Sequence, residues 1–175
     1  MKYLILVLAL VLTSACAETI PLHGSVSLDS KFSAEESEEI LSAAEQWRQA
    51  TGMVALSISV SDDAESSEFA IVRRDGIYHH RGLTTQTSSN VLIEIWPDDV
   101  YNTYEYENGI PGYGSVEEIA LHELGHSFGL THQPTGLMTA GGVDHVLRPA
   151  CIDGYTLAKF CELYDCGTIR PTCAD

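Results

Sequence analysis

Residues 122–132 read HELGHSFGLTH, and the interpretation of the whole chain starts from this stretch. On a helix, His122 and His126 are one turn apart and share a face, so both imidazoles can bind one metal ion. Glu123 is rotated off that face but stays close enough to hold a water molecule at the same metal. The first half of the stretch therefore predicts a metal-binding helix that also carries a carboxylate.

The second half of the stretch predicts a third ligand. Gly129 permits the left-handed backbone conformation that ends a helix at low cost, so the chain can turn sharply there. That turn would bring His132 to the same metal. Three protein ligands leave one coordination position open, which is typical of a catalytic zinc site rather than a structural one.

A methionine follows the motif after a short interval. Met138 lies in the sequence GLMT, residues 136–139. Together with the histidine motif, this segment resembles the metzincin metallopeptidases, whose zinc motif is followed by a "Met-turn" that places a methionine beneath the metal. The short interval between His132 and Met138 is most similar to the matrixin branch, including its bacterial secreted members. The close match covers residues 117–139.

The resemblance implies an α+β fold (an α/β-type sandwich) with a mixed, mostly parallel sheet, a long active-site helix, the Met-turn and a C-terminal helix. It also implies an exported zinc-dependent endopeptidase that hydrolyses peptide bonds through a zinc-bound water, with Glu123 as general base. One catalytic Zn²⁺ would be bound by His122, His126 and His132. Met138 would support the site as a packing floor. The substrate, a peptide or protein, would pair along a sheet edge, for which the strand at 90–96 is our prediction.

Two positions differ from the family pattern. Gln133 follows the third histidine, where animal matrixins usually carry serine, and no tyrosine ligand of the astacin or serralysin kind follows Met138. Two alternative functions use the same residues: a cell-surface peptide-binding protein or adhesin on an inactive metzincin scaffold, and a lipoprotein that supplies zinc. Retention of Glu123 argues against the first. The second fits poorly, because a delivery site should release its metal easily.

The N-terminus predicts export. Residues 3–12 are an unbroken apolar run after Met1 and Lys2, too short to span a bilayer and typical of a signal peptide. The following LTSAC resembles a bacterial lipobox, in which Cys16 would be lipidated and become the new N-terminus. Cleavage after Ala17 is the alternative, because residues 15–17 also fit A-x-A. Both alternatives place the protein outside the cytoplasm, either lipid-anchored in a bacterial cell envelope or secreted.

We favour lipidation of Cys16, which divides the chain into three parts. These are a lipoprotein signal peptide over residues 1–15, an N-terminal tether over 16–32 and a metzincin-like catalytic domain over 33–175. The segment 18–30 could be a tether or an entering strand. Further predicted elements are a helix at 33–50 with a Ser33/Glu36 capping box and Gly52 as its end, strands at 53–60 and 69–73, a Ser115/Glu118 capping box before the metal helix, and a last helix at 153–163.

The cysteines predict disulfides. Cys16 stands apart, and the other four are Cys151, Cys161, Cys166 and Cys173. In an oxidising compartment this even set would form two disulfides, and a second zinc site is less favoured because no C-x-x-C pair is present. A helix over 153–163 would hold Cys151 and Cys166 about 15 Å or more apart. Because bridged α-carbons lie within about 7 Å, that pair is disfavoured, and Cys161 with Cys166 or with Cys173 remains open.

The charge balance limits the partners. The chain has 9 basic and 25 acidic residues, and such an excess repels nucleic acid and anionic membranes. We therefore expect no nucleic-acid partner, membrane contact only through a lipid anchor, and a monomer. Calcium is possible but not supported, because the aspartate pairs at 62–63 and 98–99 could contact it but are more typical of turns and caps. His79 and His80 do not reproduce the histidine and aspartate spacing of the second zinc site of matrixins.

Overall fold

The computed structural model describes residues 22–76, 81–98, 115–140 and 150–173. It shows an α+β fold with one five-stranded, mostly parallel sheet and three helices that lie wholly within the described residues. The strands are β1 (His23–Asp29), β2 (Ala55–Ser61), β3 (Phe69–Arg73), β4 (Gly82–Gln86) and β5 (Val91–Ile95), and the helices are α1 (Ala34–Thr51), α2 (Val116–Ser127) and α3 (Gly154–Leu163), with a short 3₁₀ helix at Ala64–Ser66.

The strands lie in the order β2-β1-β3-β5-β4. The pairs β1–β2, β1–β3 and β3–β5 are parallel, and β4 pairs with β5 in the antiparallel direction. The mixed, mostly parallel sheet expected from the sequence is therefore present. The turn between β4 and β5 is closed by the backbone N–H of Thr87, which donates to the carbonyl of Asn90 at 2.9 Å.

The position predicted for the edge strand is wrong. The segment at 90–96 does form a strand, β5, but β5 lies inside the sheet between β3 and β4. Its alternate residues Val91, Ile93 and Ile95 are buried, which produced the regular pattern in the sequence. Among the described strands, the end strand on this side is β4, whose mostly polar sequence, GLTTQ, was not predicted as a strand.

The N-terminal tether is also corrected. Residues 23–29, inside the predicted tether over 16–32, form β1, which pairs with both β2 and β3 near the middle of the sheet. Val26 and Leu28 are fully or almost fully buried there. The entering-strand alternative is therefore correct for this segment, and the folded domain begins before residue 33.

Helix α1 has the ends predicted for it. The Ser33 hydroxyl accepts a hydrogen bond from the Glu36 backbone N–H, and the Glu36 side chain accepts one from the Ser33 N–H, which completes the capping box. At the other end Gly52 has a φ of 63°, a left-handed conformation in which a side chain would be strained.

The main core lies around Trp47 of α1. Its ring is fully buried and contacts the ring of Phe128 edge-on at 5.3 Å and that of Phe160 at 5.6 Å between centroids. The Trp47 indole N–H also donates to the carbonyl of Leu121 at 3.0 Å. One aromatic side chain thus holds α1, α2 and α3 together, and the position of α2 is fixed from its buried face.

The C-terminal segment contains two disulfides, Cys151–Cys173 and Cys161–Cys166. The prediction of two bridges is confirmed, as is the exclusion of the pair Cys151–Cys166, and of the two partners left open for Cys161 the structure has Cys166. Disulfides are typical of oxidising compartments, which agrees with export. Among the described residues, none of the helices has the length and apolar character needed to cross a membrane.

Candidate metal centre

Helix α2 positions the first two histidines. The Ser115 hydroxyl caps its start by accepting from the Glu118 N–H at 3.0 Å, which is the Ser115 half of the predicted capping box. One face of the helix is buried against α1 and the sheet, through Val116, Ala120, Leu121 and Leu124. His122 and His126 follow at helical spacing on a partly buried face. The apolar face of the helix thus packs against α1 and the sheet, and a different face of the helix carries the imidazoles of His122 and His126.

The turn after α2 brings in the third histidine. Gly129 has a φ of 86°, and the Leu130 N–H donates to the carbonyl of Gly125 while the Gly129 N–H donates to that of His126. These two bonds form the Schellman arrangement that satisfies the last carbonyls of a helix. The chain reverses at Gly129, as predicted, and carries His132 back toward the helix.

The three imidazoles converge on one point. The Nε2 atom of His126 lies 3.1 Å from that of His122 and 3.2 Å from that of His132. Tetrahedral zinc with bonds of 2.0–2.1 Å would separate two nitrogens by about 3.3 Å. Of the described residues, these three are the group of histidine, cysteine and acidic side chains able to hold a metal ion. The donor set therefore fits a zinc ion, and three ligands leave further positions open.

Hydrogen bonds at the other ring nitrogens orient two of these imidazoles. The Nδ1 atom of His122 lies 2.8 Å from the carbonyl oxygen of Leu137, and that of His126 lies 2.8 Å from the carbonyl oxygen of Leu130. Because a carbonyl only accepts, each Nδ1 carries the proton and each Nε2 keeps its lone pair. This is the usual outer-shell arrangement of a metal-binding histidine.

Burial favours the neutral form of two of the imidazoles, those of His122 and His132. Loss of hydration, with smaller contributions from His126 and His132, lowers the pKa of His122 to about 4. Partial burial and the nearby His126 also lower the pKa of His132. For His122 and His132, the unprotonated form that a metal requires is thus the form that the folded protein favours at neutral pH.

Met138 is fully buried beneath this face of α2. A Cβ atom at Gly125 would collide with the Met138 Sδ and lie 3.1 Å from its Cε, so the side chain packs directly on the helix backbone between the two histidines. Met138 therefore packs against the backbone of α2 between the two histidines, and its role as the floor of a metal site stays a prediction. The packing also explains Gly125, to which the sequence alone gave no role.

The turn that holds Met138 is fastened at both ends. The Gln133 N–H donates to the Met138 carbonyl at 2.8 Å, next to His132. On its other side the Leu137 N–H donates to Asp153 Oδ2 at 2.7 Å. We call residues 136–139 the methionine turn. The sequence predicted Asp153 only as the start of a helix. Its hydrogen bond to Leu137 could not be predicted, because the two residues lie in separate segments of the chain.

Glu123 lies beside the histidines but faces β4. Its side chain is buried, with 5% of the residue exposed. The Thr84 hydroxyl donates to Glu123 Oε2 at 2.6 Å and lies 3.0 Å from the Glu123 carbonyl oxygen. Thr84 was missed because β4 itself was not predicted.

The other predicted positions fall into two groups. Asp98 accepts from the Arg73 side chain at 2.9 Å and from the Gly76 N–H, and Asp63 accepts from the Ser66 hydroxyl, so both carboxylates contact donors of the protein itself. The signal peptide with Cys16, the histidines at 79 and 80, and Asp99 lie outside the described residues.

No protein-family model matches this chain, and no curated protein matches it. The arrangement of the three histidines, Glu123 and Met138 therefore carries the functional argument.

Proposed function

We propose that this protein is an exported zinc-dependent endopeptidase of the metzincin type, most like the bacterial matrixin branch. The observation that carries the proposal is the convergence of three Nε2 lone pairs from His122, His126 and His132, with the carboxylate of Glu123 on the adjacent residue of the same helix. The buried Met138 and the turn at Gly129 support the same assignment.

The zinc ion would be held by the three histidines. When bound, Zn²⁺ lowers the pKa of a water ligand to about 7 and polarises a carbonyl group as a Lewis acid. The carbonyl groups of Leu137 and Leu130 keep two of the imidazoles in the tautomer that this requires.

Glu123 is the proposed general base. Its carboxylate would take a proton from the attacking water and later donate that proton to the leaving amine, so that no net proton is consumed. A carboxylate at this position does not compete with the imidazoles for the metal, because it faces β4. This division separates metal binding from proton transfer.

The substrate would be an extended peptide or protein segment. Strand β4 is the end strand of the sheet on the side of α2, and its Thr84 touches Glu123 directly. Pairing of a peptide backbone along β4 would bring a scissile bond to the metal centre. This replaces the strand at 90–96, now β5, as the proposed docking edge.

The two disulfides and the apolar N-terminal run support a location outside the cytoplasm. We propose that lipidated Cys16 tethers the domain to a bacterial membrane, with ordinary cleavage after Ala17 as the competing outcome. Mass spectrometry of the native N-terminus distinguishes a lipidated Cys16 from a free Glu18.

Peptide cleavage by zinc-loaded protein tests the proposed activity. A broad peptide library should be cut by the wild type, and a chelator should abolish cleavage. Glu123→Ala should retain zinc and lose activity by about 10²–10⁴-fold, the usual contribution of a positioned base. His126→Ala should lose both zinc and activity. Absence of cleavage by the zinc-loaded wild type would favour a peptide-binding protein instead.

A further inference from the structure

The side chain of Thr84 contacts Glu123 from the end strand of the sheet. Its hydroxyl lies 2.6 Å from Glu123 Oε2, a distance typical of an O–H donor on a carboxylate. The same hydroxyl lies 3.0 Å from the Glu123 carbonyl oxygen. Since a hydroxyl has one hydrogen to donate, the shorter contact to the charged acceptor is the favoured one.

Gly82 closes the other side of the same carboxylate. Residues 82 and 84 of β4 share one face of the strand, because side chains alternate along a strand. A Cβ atom at Gly82 would lie 2.6 Å from Glu123 Oε1 and 2.7 Å from Glu123 Cγ. The absence of a side chain at Gly82 therefore leaves room for Oε1 of Glu123, while the Thr84 hydroxyl donates to Oε2.

From this pairing we propose that Thr84 is a positioning residue, which holds the Glu123 carboxylate in the single orientation needed for proton transfer. This inference rests on the proposed peptidase function. A glutamate has several side-chain rotamers, and a base that samples them is correctly placed for only part of the time. A fixed donor on Oε2, with Oε1 packed against Gly82, selects one rotamer, and Oε2 keeps a second lone pair that can accept the proton.

A purely structural role would have a different signature. If Thr84 only satisfied a buried carboxylate, its loss would lower stability and leave kcat unchanged in the protein that remains folded. A positioning role instead lowers kcat with little change in KM, because the contact matters for the proton in transit and not for peptide binding.

The test compares three variants of the mature chain with bound zinc. Thr84→Val keeps the shape and removes the hydroxyl, whereas Thr84→Ser keeps the hydroxyl. Thr168→Val makes the same chemical change at an exposed threonine of the C-terminal segment. Zinc content and thermal unfolding are measured for each, and crystal structures of the zinc-loaded wild type and Thr84→Val show the orientation of the Glu123 carboxylate.

We expect Thr84→Val to bind zinc normally and to lose kcat by on the order of tenfold to 100-fold, as for a misplaced catalytic group, with KM within about twofold. Thr84→Ser should stay within about threefold of wild type. The inference is overturned if kcat of Thr84→Val equals that of Thr168→Val, while peptide cleavage by the wild type still stands.

The crystal structures give a result that does not depend on activity. If the wild type cleaves no peptide, the proposed function fails. The orientation of the Glu123 carboxylate in the two crystal structures then tests the positioning role by itself. A Glu123 carboxylate with one orientation in the wild type and a displaced or divided one in Thr84→Val supports the role. An identical carboxylate in both proteins rejects it.

Discussion

The Asp153 carboxylate accepts a hydrogen bond from the Leu137 N–H at 2.7 Å, and the Leu137 carbonyl lies 2.8 Å from the Nδ1 atom of His122. One residue of the methionine turn thus connects the N-cap of α3 to the candidate metal ligand His122. Asp153 also caps α3, accepting from the N–H groups of Tyr155 and Thr156. The N-cap of the C-terminal helix therefore supports the candidate metal centre without contributing one of its three histidines.

Asp153→Ala should weaken both stability and zinc binding. It removes a helix cap, worth about 1 kcal/mol, and a charge-assisted bond to Leu137, worth about 1.5–3 kcal/mol. We expect a loss of about 2–4 kcal/mol in the free energy of unfolding and roughly tenfold weaker zinc binding. Denaturant titration and competition with a chelator measure the two effects. Asp165→Ala, at an exposed aspartate after α3, is the control, and an equal effect there would contradict the assignment.

The Asp153 contribution should depend on pH. Burial raises the pKa of Asp153, but the hydrogen bonds from Thr156 and Leu137 more than offset it, so the pKa is lowered from its ordinary value of 3.8. A lowered carboxyl pKa stabilises the fold above the unfolded-state pKa and loses that effect as pH falls through the folded-state pKa. The stability difference between the wild type and Asp153→Asn should therefore be constant above about pH 5 and shrink toward pH 2. Denaturation curves recorded across this pH range measure the difference in the free energy of unfolding. A difference that stays constant down to the lowest pH would contradict the proposed role of the Asp153 charge.

Gly125→Ala should disturb the packing between α2 and Met138. The added Cβ would collide with the Met138 Sδ, and overpacking of this kind costs about 1–3 kcal/mol. Alanine favours a helix over glycine by about 1 kcal/mol, so the net loss should lie near the lower end. Gly154→Ala, whose Cβ would meet Pro171 at an ordinary 3.8 Å, should be neutral or slightly stabilising.

A second substitution checks the cause. Combining Gly125→Ala with Met138→Leu should cost less than the sum of the two single changes, because both act on one contact. Additive losses, measured by denaturant titration, would mean that the two residues do not interact.

The two disulfides should differ in their effect on stability. Cys151–Cys173 encloses a separation of 22 residues, and Cys161–Cys166 one of 5. By chain entropy the longer loop is worth about 3 kcal/mol and the shorter about 2 kcal/mol. Replacing Cys151 and Cys173 by alanine should therefore destabilise the domain more than replacing the other pair. Denaturation under non-reducing conditions gives the free energy of unfolding of each variant. A larger loss on removing Cys161–Cys166 than on removing Cys151–Cys173 would contradict the prediction.

The sequence could predict that the three histidines come together because the motif acts over short distances. The spacing of His122 and His126, the turn at Gly129 and the caps at Ser33 and Ser115 all follow from local backbone geometry. Each of these features depends on residues within a few positions of one another, so one chain is enough to infer them.

Contacts between distant segments could not be inferred in the same way. Strand β4 has no alternating apolar pattern, and its partner Glu123 lies 39 residues after Thr84. The alternation in β5 indicated a strand but carried no information on its place in the sheet. The pairing of the cysteines likewise depends on where the C-terminal segment runs, since the Arg170 N–H is bound to the carbonyl of Ala50 on α1.

Zinc binding itself should depend on His132, the ligand contributed by the turn after α2. Purified mature protein should contain about one zinc per chain, in keeping with one three-histidine site. His132→Ala leaves two imidazoles on α2, so elemental analysis after dialysis should show a large loss of zinc. His23→Ala, at an exposed histidine of β1, should retain the full content. Binding should also stabilise the fold, by about 2.7 kcal/mol at a free zinc concentration 100-fold above Kd. The wild type and His23→Ala should therefore unfold at a higher temperature with zinc, and His132→Ala should not. Unchanged zinc content and the same thermal shift in His132→Ala would show that His132 is not a ligand.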